Sequence, residues 1–483
     1  MSKPNQTRRT FLKTTALGTA SLLLGQISCK DSNQSQKPNF IFILIDDLGW
    51  KDVGFMGSTY YETPNIDRLA RDGMTFSNAY ANAPNCAPTR ACLLSGLYTP
   101  RHCVYTVNNS DRGKPFLRKL IPTPNTKILA PHFTTFAEVL KKSGYTCASI
   151  GKWHLGEYPG TGPLIQGFDV NVGGNHLGHP KSYFSPYKNK FLPDGLEGEY
   201  LTDRLTDETL QFLEQNKKKP FFIYLPHYAV HTPIQAKEKL IEKYTKKEGS
   251  YGQNNPAYAA MIESTDTGVG RILAKLEELQ LTDNTIVFFF SDNGGVRRIT
   301  SMEPLRGGKG MLYEGGIRVP CIIKWPGQTR PGSECQIPIV STDFYPTILQ
   351  MAGLNKPENV LLDGESIAPL LTGKSGLKRK AIFWHFPAYL QGKAKGARDP
   401  YFRTRPGGVV RMGDWKLIEY FEDGDFELYN LKNDIGEKNN LAEEKPDKVK
   451  ELHEVMSDWR KSVNAPVPTE KNPDYNSKQD KGL

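Results

Sequence analysis

An α/β fold, with a large and mostly parallel sheet flanked by helices, is predicted by two features of the chain. Short, nearly continuous apolar runs alternate with amphipathic segments of helical period, and polar clusters come directly after the runs. A change of pattern from about Ala381 to short alternating strands adds a smaller C-terminal α+β subdomain.

The first run is Phe40 to Ile45, the second and weaker one Tyr145 to Ile150, the third Phe221 to Leu225 and the fourth Thr285 to Phe290. Runs of this length, rich in β-branched and aromatic residues, suit strands buried on both faces. Between them Thr135 to Ser143 reads as a helix ending before Gly144, and Tyr258 to Leu279 carries apolar residues at helical spacing. Phe344 to Leu371 reads as short apolar helices. Val409 to Arg411, Trp415 to Ile418 and Glu427 to Asn430 read as strands, and Pro446 to Ser462 as a helix with proline in its first turn. The large domain is therefore expected over 38–377, the subdomain over 378–465, and a loose polar tail over 466–483.

Composition excludes other classes. The chain has 483 residues, of which 38% are hydrophobic and 24% charged, which is ordinary for globular domains and not for disordered or disulfide-dense chains. No apolar run approaches the roughly 20 residues of a membrane span. The seven cysteines match no zinc spacing. The net charge of +10 is inflated by the first 28 residues, where Lys3, Arg8, Arg9 and Lys13 precede the apolar stretch Ala16 to Leu24. That is export-signal anatomy, and Thr7-Arg8-Arg9-Thr10-Phe11-Leu12-Lys13 resembles a twin-arginine leader. Cys29 after Ser28 resembles a lipoprotein acceptor, with Gln26 where that pattern prefers an aliphatic residue. Residues 29–37 read as a tether. The expected location is the periplasm, or the cell envelope through a lipid anchor on Cys29, reached by the export machinery. Basic charge alone suggests nucleic acid, but no nucleic-acid motif supports it, and none is expected as a partner.

The chemistry lies in the polar residues at the end of each run. Asp46-Asp47 closes the first, Gly151-Lys152-Trp153-His154 the second, His227 and His231-Thr232-Pro233 the third, and Ser291-Asp292-Asn293-Gly294 the fourth. In open α/β sheets, ligands bind beyond the carboxyl ends of the strands. One such aspartate is usually a turn or a cap; four polar clusters in the same relative place exceed capping. Asp46, Asp47, Asp292 and Asn293 offer only oxygen donors, which favour calcium or magnesium over zinc. With Lys152, His154, His231 and Lys309 around a cation, the pocket would attract anions and suit hydrolysis of an anionic ester.

The segment Cys86-Ala87-Pro88-Thr89-Arg90-Ala91-Cys92-Leu93-Leu94-Ser95-Gly96 resembles the signature of type I sulfatases, with Thr89 in place of the commoner serine. Asp46-Asp47, Gly151 to Gly156, His231-Thr232-Pro233, Ser291 to Gly294, and Lys309 with Glu314-Gly315-Gly316 occur in that family's order, so the resemblance spans roughly 38–440. It implies an alkaline-phosphatase-like fold and oxidation of Cys86 to Cα-formylglycine by a formylglycine-generating or anaerobic maturation enzyme. The hydrated aldehyde would supply the oxygen nucleophile that a soft thiolate does not. It further implies one calcium ion on Asp46, Asp47, Asp292, Asn293 and modified Cys86. Arg90 and Lys152 would hold the nucleophile, and Asp292 stands where it would take its proton. His154 would act as base in the second half-reaction, and His231 and Lys309 would contact the sulfate and the leaving oxygen. His231 is favoured as acid for its ordinary pKa near neutrality. His227 and Glu314 are read as structural, Glu314 as an orderer of the loop carrying Lys309.

A phosphate-ester or phosphonate hydrolase of the same superfamily is the alternative function, and a non-catalytic binder of acidic glycans a remote one. Export points to a sulfated carbohydrate, an algal polysaccharide such as ulvan or carrageenan or a glycosaminoglycan. Recognition is expected from loops: His176 within Gly174 to His179, and His385, Arg403 and Arg405 from the C-terminal part.

Overall fold

The structure is a computed structural model and describes residues 37–157, 159–374 and 376–480. The leader over 1–28, Cys29 and nearly all of the tether lie outside the described residues. Eight strands form the main sheet: β1 (Asn39–Ile45), β2 (Met74–Phe76), β3 (Thr146–Ile150), β4 (Val170–Val172), β5 (Phe221–Pro226), β6 (Thr285–Ser291), β7 (Cys321–Lys324) and β8 (Ser333–Cys335), in the spatial order β4-β3-β5-β1-β6-β7-β2-β8. The four apolar runs are thus the four adjacent strands β3, β5, β1 and β6, all parallel, with β7 antiparallel to β6 and to β2. Leu44 lies opposite Pro226 on one side and Phe290 on the other. That register brings the carboxyl ends of these strands level.

Alternation along β1 makes the layers. Phe40, Phe42 and Leu44 pack with the helices Cys86–Ser95, Phe136–Lys142 and Phe344–Met351, whereas Ile41, Ile43 and Ile45 pack with Pro64–Asp72, Leu201–Asn216 and Pro256–Glu278. Every β1 side chain is buried, which explains why the strand reads as an unbroken apolar run. The helix Phe136–Lys142 starts where a capping box allows it: Thr135 accepts from the Glu138 N–H, and Glu138 Oε1 accepts from the Thr135 N–H.

The C-terminal sheet has four antiparallel strands: β9 (Ala381–Phe386), β10 (Gly407–Met412), β11 (Trp415–Tyr420) and β12 (Phe426–Asn430). Its inner face, with Ile382, Trp384, Val409, Ile418 and Tyr429, packs on Met311 to Tyr313 and Ile317. The outer face, with Phe383, Val410, Leu417 and Leu428, is covered by Leu452 and Met456 of the helix Pro446–Ser462. Residues 38–480 accordingly form one compact unit.

Three expectations are corrected here. The tail is not loose over 466–480: Glu470 O accepts from Ile121 N–H at 2.9 Å, and Asn472 Nδ2 donates to the carbonyls of Pro115 and Arg118 at 2.9 and 2.8 Å. Arg405 does not face a substrate. It is 1% exposed and ion-paired to Asp399, Glu422 and Asp480 at 2.8, 2.7 and 3.3 Å. His385 is equally enclosed: its Nε2–H donates to Pro466 O at 2.8 Å, and burial pushes its pKa down to about 4. Both residues hold the tail against the subdomain.

Removing Arg405 strands three buried carboxylates, those of Asp399, Glu422 and Asp480. Arg405→Met should therefore lower the unfolding free energy by about 3–5 kcal/mol in a urea titration. A shift below about 1 kcal/mol would show that the ion pairs contribute little there.

Candidate active site

Each polar cluster is the next step of a parallel ladder. Asp46 N–H donates to Ala229 O at 2.9 Å, and Asp292 N–H to Ile45 O at 3.1 Å. Lys152 N–H donates to Pro226 O at 2.7 Å. The strands thus set these side chains at one sheet edge. Asp47 and His154 turn away with positive φ of 63° each. Cys86 enters from outside the sheet as the first residue of a ten-residue helix, all of it buried, so the thiol sits at the positive end of the helix dipole.

The site gathers nearly all of the residues singled out from the sequence. Asp46, Asp47, Asp292, Arg90 and Lys152 are buried, each at most 2% exposed. Arg90 Nε and Nη2 both donate to Asp292 Oδ2, at 2.9 and 2.7 Å, and Nη1 donates to the Lys152 carbonyl at 2.9 Å. Lys152 Nζ pairs with Asp46 Oδ2. Lys309 Nζ is 2.6 Å from Asp47 Oδ1, which also accepts from Asn293 Nδ2 at 2.8 Å. His154 Nδ1 stands 3.4 Å from Cys86 Sγ, and His231 Nε2 stands 3.6 Å from Asp47 Oδ2.

Three buried carboxylates so close to one another shift the titration of several groups in the cluster. Burial, with Asp292 beside it, pushes Asp46 up to about 7 against the pull of Lys152. Burial also acts to raise Asp47, but Lys309, His231 and Asn293 reverse that and hold its carboxyl well below the usual range. Burial, then Lys152, Arg90 and Lys309, keep His154 neutral. Burial and Lys309 push His231 down to about 3, which removes the argument for it as acid from an ordinary histidine pKa. Its Nδ1–H donates to Thr232 O at 2.7 Å, leaving the Nε2 lone pair toward Asp47.

The donor set fits a hard cation. Asp46 Oδ1 and Asn293 Oδ1 are buried and accept no hydrogen bond, a costly state for polar oxygens unless something positive binds them. Ligand atoms of Asp46, Cys86 and Asp292 lie within 4.8 Å of one another, as do those of Asp46, Asp47 and His231. Oxygen atoms dominate this set, as calcium or magnesium requires.

The remaining residues divide by their partners. His227 is fully buried, its backbone N–H donating to Leu44 O at 2.9 Å and both ring nitrogens unpartnered. Glu314 bonds Lys416 at 3.0 Å and Tyr80 OH at 2.6 Å and touches no reacting group. In the loop 174–179, His176 is exposed and pairs with Glu157. His179 comes closer to the centre, its ring stacked on His231 at 6.2 Å, and Gly178 lies against the His154 ring. Two histidines three residues apart in one loop carry no sequence signal that ranks them. Of the C-terminal arginines, Arg403 lies beside Gly310, next to Lys309.

A family model described as Sulfatase matches residues 38–354, and one described as N-sulphoglucosamine sulphohydrolase, C-terminal, matches 308–462. A protein of Formosa agariphila named Sulfatase is 35% identical over 92% of each chain. The human N-acetylgalactosamine-6-sulfatase is 33% identical, over 77% of this chain and 73% of its own. The crystal structure of Ps i-CgsB in complex with k-i-k-neocarrahexaose superposes with a TM-score of 0.73 at 29% identity, covering 92% of this chain and 94% of that one.

A Cβ at position 178 would lie 2.5 Å from His154 Cε1, so any side chain there must displace the ring. Gly178→Val should cut turnover by about 100-fold, the scale of a 1 Å misplacement, at unchanged thermal stability. Full turnover in that variant would show that the His154 ring position is unimportant.

Proposed function

The chain belongs to the sulfatase family and is a sulfuric ester hydrolase, and on that premise we propose that it desulfates a carbohydrate outside the cytoplasm, using formylglycine at position 86 and one calcium ion. The observation that carries this reading is the gathering of Cys86, Lys152, His154, His231 and Lys309 around the Asp46, Asp47, Asp292 and Asn293 cluster, in which Asp46 and Asn293 each keep one unpartnered buried oxygen.

Formylglycine supplies an oxygen nucleophile in place of a sulfur one, and calcium supplies positive charge that acidifies it and draws in the sulfate. Asp46, Asp47, Asp292 and Asn293 would hold the ion. Arg90 fixes Asp292 through two donors and ties it to the Lys152 backbone, so the carboxylate keeps one oxygen for the cation and does not rotate. Three carboxylates face three cations, Arg90, Lys152 and Lys309. A divalent ion therefore leaves the pocket with a surplus of positive charge, the condition for binding a sulfate ester in a place shielded from water. His154, neutral and 3.4 Å from the residue-86 side chain, is the base for a proton held there. His231 and Lys309 line the side bounded by Asp47 and would meet the sulfate and the leaving oxygen, one of them returning the proton to the alcohol.

A carbohydrate substrate is supported by the relatives: the human protein is named for an N-acetylgalactosamine sulfate, and Ps i-CgsB was crystallised with a carrageenan oligosaccharide. The twin-arginine leader supports export, to the periplasm or to the cell envelope through a lipid anchor on Cys29. Among the described residues no helix is long and apolar enough to cross a membrane.

Three measurements test the reading. The proteolytic peptide containing Cys86, from a host that matures another sulfatase, should carry the mass of the aldehyde or its hydrate, and the protein should hydrolyse 4-nitrophenyl sulfate faster than 4-nitrophenyl phosphate. An unmodified thiol with the opposite preference would favour the phosphate-ester hydrolase. Calcium at about 100 times its Kd should raise the unfolding free energy by about 2.7 kcal/mol, and a chelator should remove that gain. An unmoved melting curve would mean that the oxygen cluster does not bind the ion.

A further inference from the structure

We infer that the sulfate pocket opens onto a second anion site formed by Arg112, Arg298 and Arg403, and that the preferred substrate carries another sulfate or a carboxylate close to the ester being cleaved. The inference rests on the sulfatase reading and deepens it.

These three arginines, and Arg297 next to them, come from segments far apart in sequence. Arg297 and Arg298 come after β6 and the Asp292-Asn293 pair, Arg403 lies in the short strand Phe402–Thr404, and Arg112 lies in the loop between residues 103 and 114. The glycines on either side of Lys309 bring two of them to the pocket. A Cβ at Gly308 would lie 2.7 Å from Arg297 Cγ, and one at Gly310 would lie 3.1 Å from Arg403 Cδ. The two side chains therefore rest on the backbone that holds Lys309, whose Nζ is 2.6 Å from Asp47. Gly392 borders the Arg403 Nε in the same way, at 3.3 Å from its would-be Cβ.

None of the four guanidinium groups forms an ion pair or hydrogen bond among the described residues, whereas Arg90, Arg379 and Arg405 each hold a carboxylate. Arg297 Nε is buried with no partner. A Cβ at Gly113 would lie 2.6 Å from Phe402 Cε1, which sets Arg112 beside the strand that carries Arg403. The cations also feel one another: burial and then Arg298 lower the pKa of Arg403, and burial and then Arg403 lower that of Arg112. The carboxylate that pulls on Arg403 is Asp47, which belongs to the catalytic centre. Gathering like charges beside a cationic pocket without counter-charge is unfavourable in the free protein. An incoming anion reverses the sign of that interaction, and the planar fork of arginine matches the oxygens of sulfate or carboxylate. A substrate with one isolated sulfate leaves this strain in place. One with a neighbouring anion relieves it.

The test uses matched hexasaccharides, κ-carrageenan with one sulfate per disaccharide and ι-carrageenan with two, together with a chondroitin 6-sulfate hexasaccharide for the carboxylate. Binding is measured by calorimetry on the Cys86→Ala protein, which does not turn over. The second anion, as sulfate or carboxylate, should tighten binding by about tenfold or more, and Arg298→Ala with Arg403→Ala should reduce that gain to below about threefold. Arg298 is exposed, so Arg298→Ala alone keeps the test valid if the double variant fails to fold; it should remove part of the gain. Binding that ignores the second anion, a gain that survives both substitutions, or no binding of any of the three overturns the proposal. Hydrolysis of 4-nitrophenyl sulfate by the matured wild-type protein is measured in parallel. Its absence sinks the sulfatase mechanism, whereas its presence with no anion preference sinks only the second site.

Discussion

Three carboxylates buried side by side at the ends of two neighbouring parallel strands are the constraint on which the rest of the molecule depends. Asp46, Asp47 and Asp292 are each at most 2% exposed, and unpaired ions in such a place cost several kcal/mol apiece. The fold meets that cost by importing a cation from each of three other segments. Arg90 comes from the helix Cys86–Ser95, Lys152 from the end of β3, and Lys309 from the loop before Glu314. The pairing is incomplete, because one oxygen of Asp46 and the amide oxygen of Asn293 are left over. That remainder is where binding chemistry enters, since a fully satisfied cluster would have no reason to take an ion.

The C-terminal sheet answers to the same constraint. Lys309 lies on a loop without regular structure, and a loop that carries a buried charge must be held from behind. The inner face of β9 to β12 packs on Met311 to Tyr313 and Ile317. Lys416 reaches across to Glu314 and Glu437 at 3.0 and 2.8 Å, and Glu314 N–H donates to Glu437 at 2.7 Å. Arg306, three residues before Lys309, donates to Tyr429 OH at 2.9 Å. The subdomain is therefore a support for the catalytic loop, and a separate two-stranded ribbon, Leu390–Gln391 with Phe402–Thr404, carries Arg403 against Gly310.

Much of this was legible in the chain because strands buried on both faces have no polar residues until they end. The boundary between apolar run and polar cluster marks the sheet edge, and four such boundaries coincide in the structure. His231 and His227 were separable by the Thr232-Pro233 context. Arg403, Arg405 and His385 were not separable, since all three are basic residues in one segment. Arg405 is claimed by Asp399, Glu422 and Asp480, and His385 by Pro466; these partners converge only in three dimensions. The tail was misread for the same reason. Its polar residues look loose, but they bond the backbone around Pro115 and Arg118.

The amino-acid sequence by itself determined the α/β class, the positions of the four central strands and the residues that meet at their ends. These depend on local patterning: hydrophobic period, strand length and the first polar residue after each run. Only the tertiary structure decided which cations are spent on neutralising carboxylates and which remain free. That division depends on distances between segments up to hundreds of residues apart, and burial makes each pairing matter. A paired arginine such as Arg405 serves stability, and an unpaired one such as Arg403 is available to a ligand.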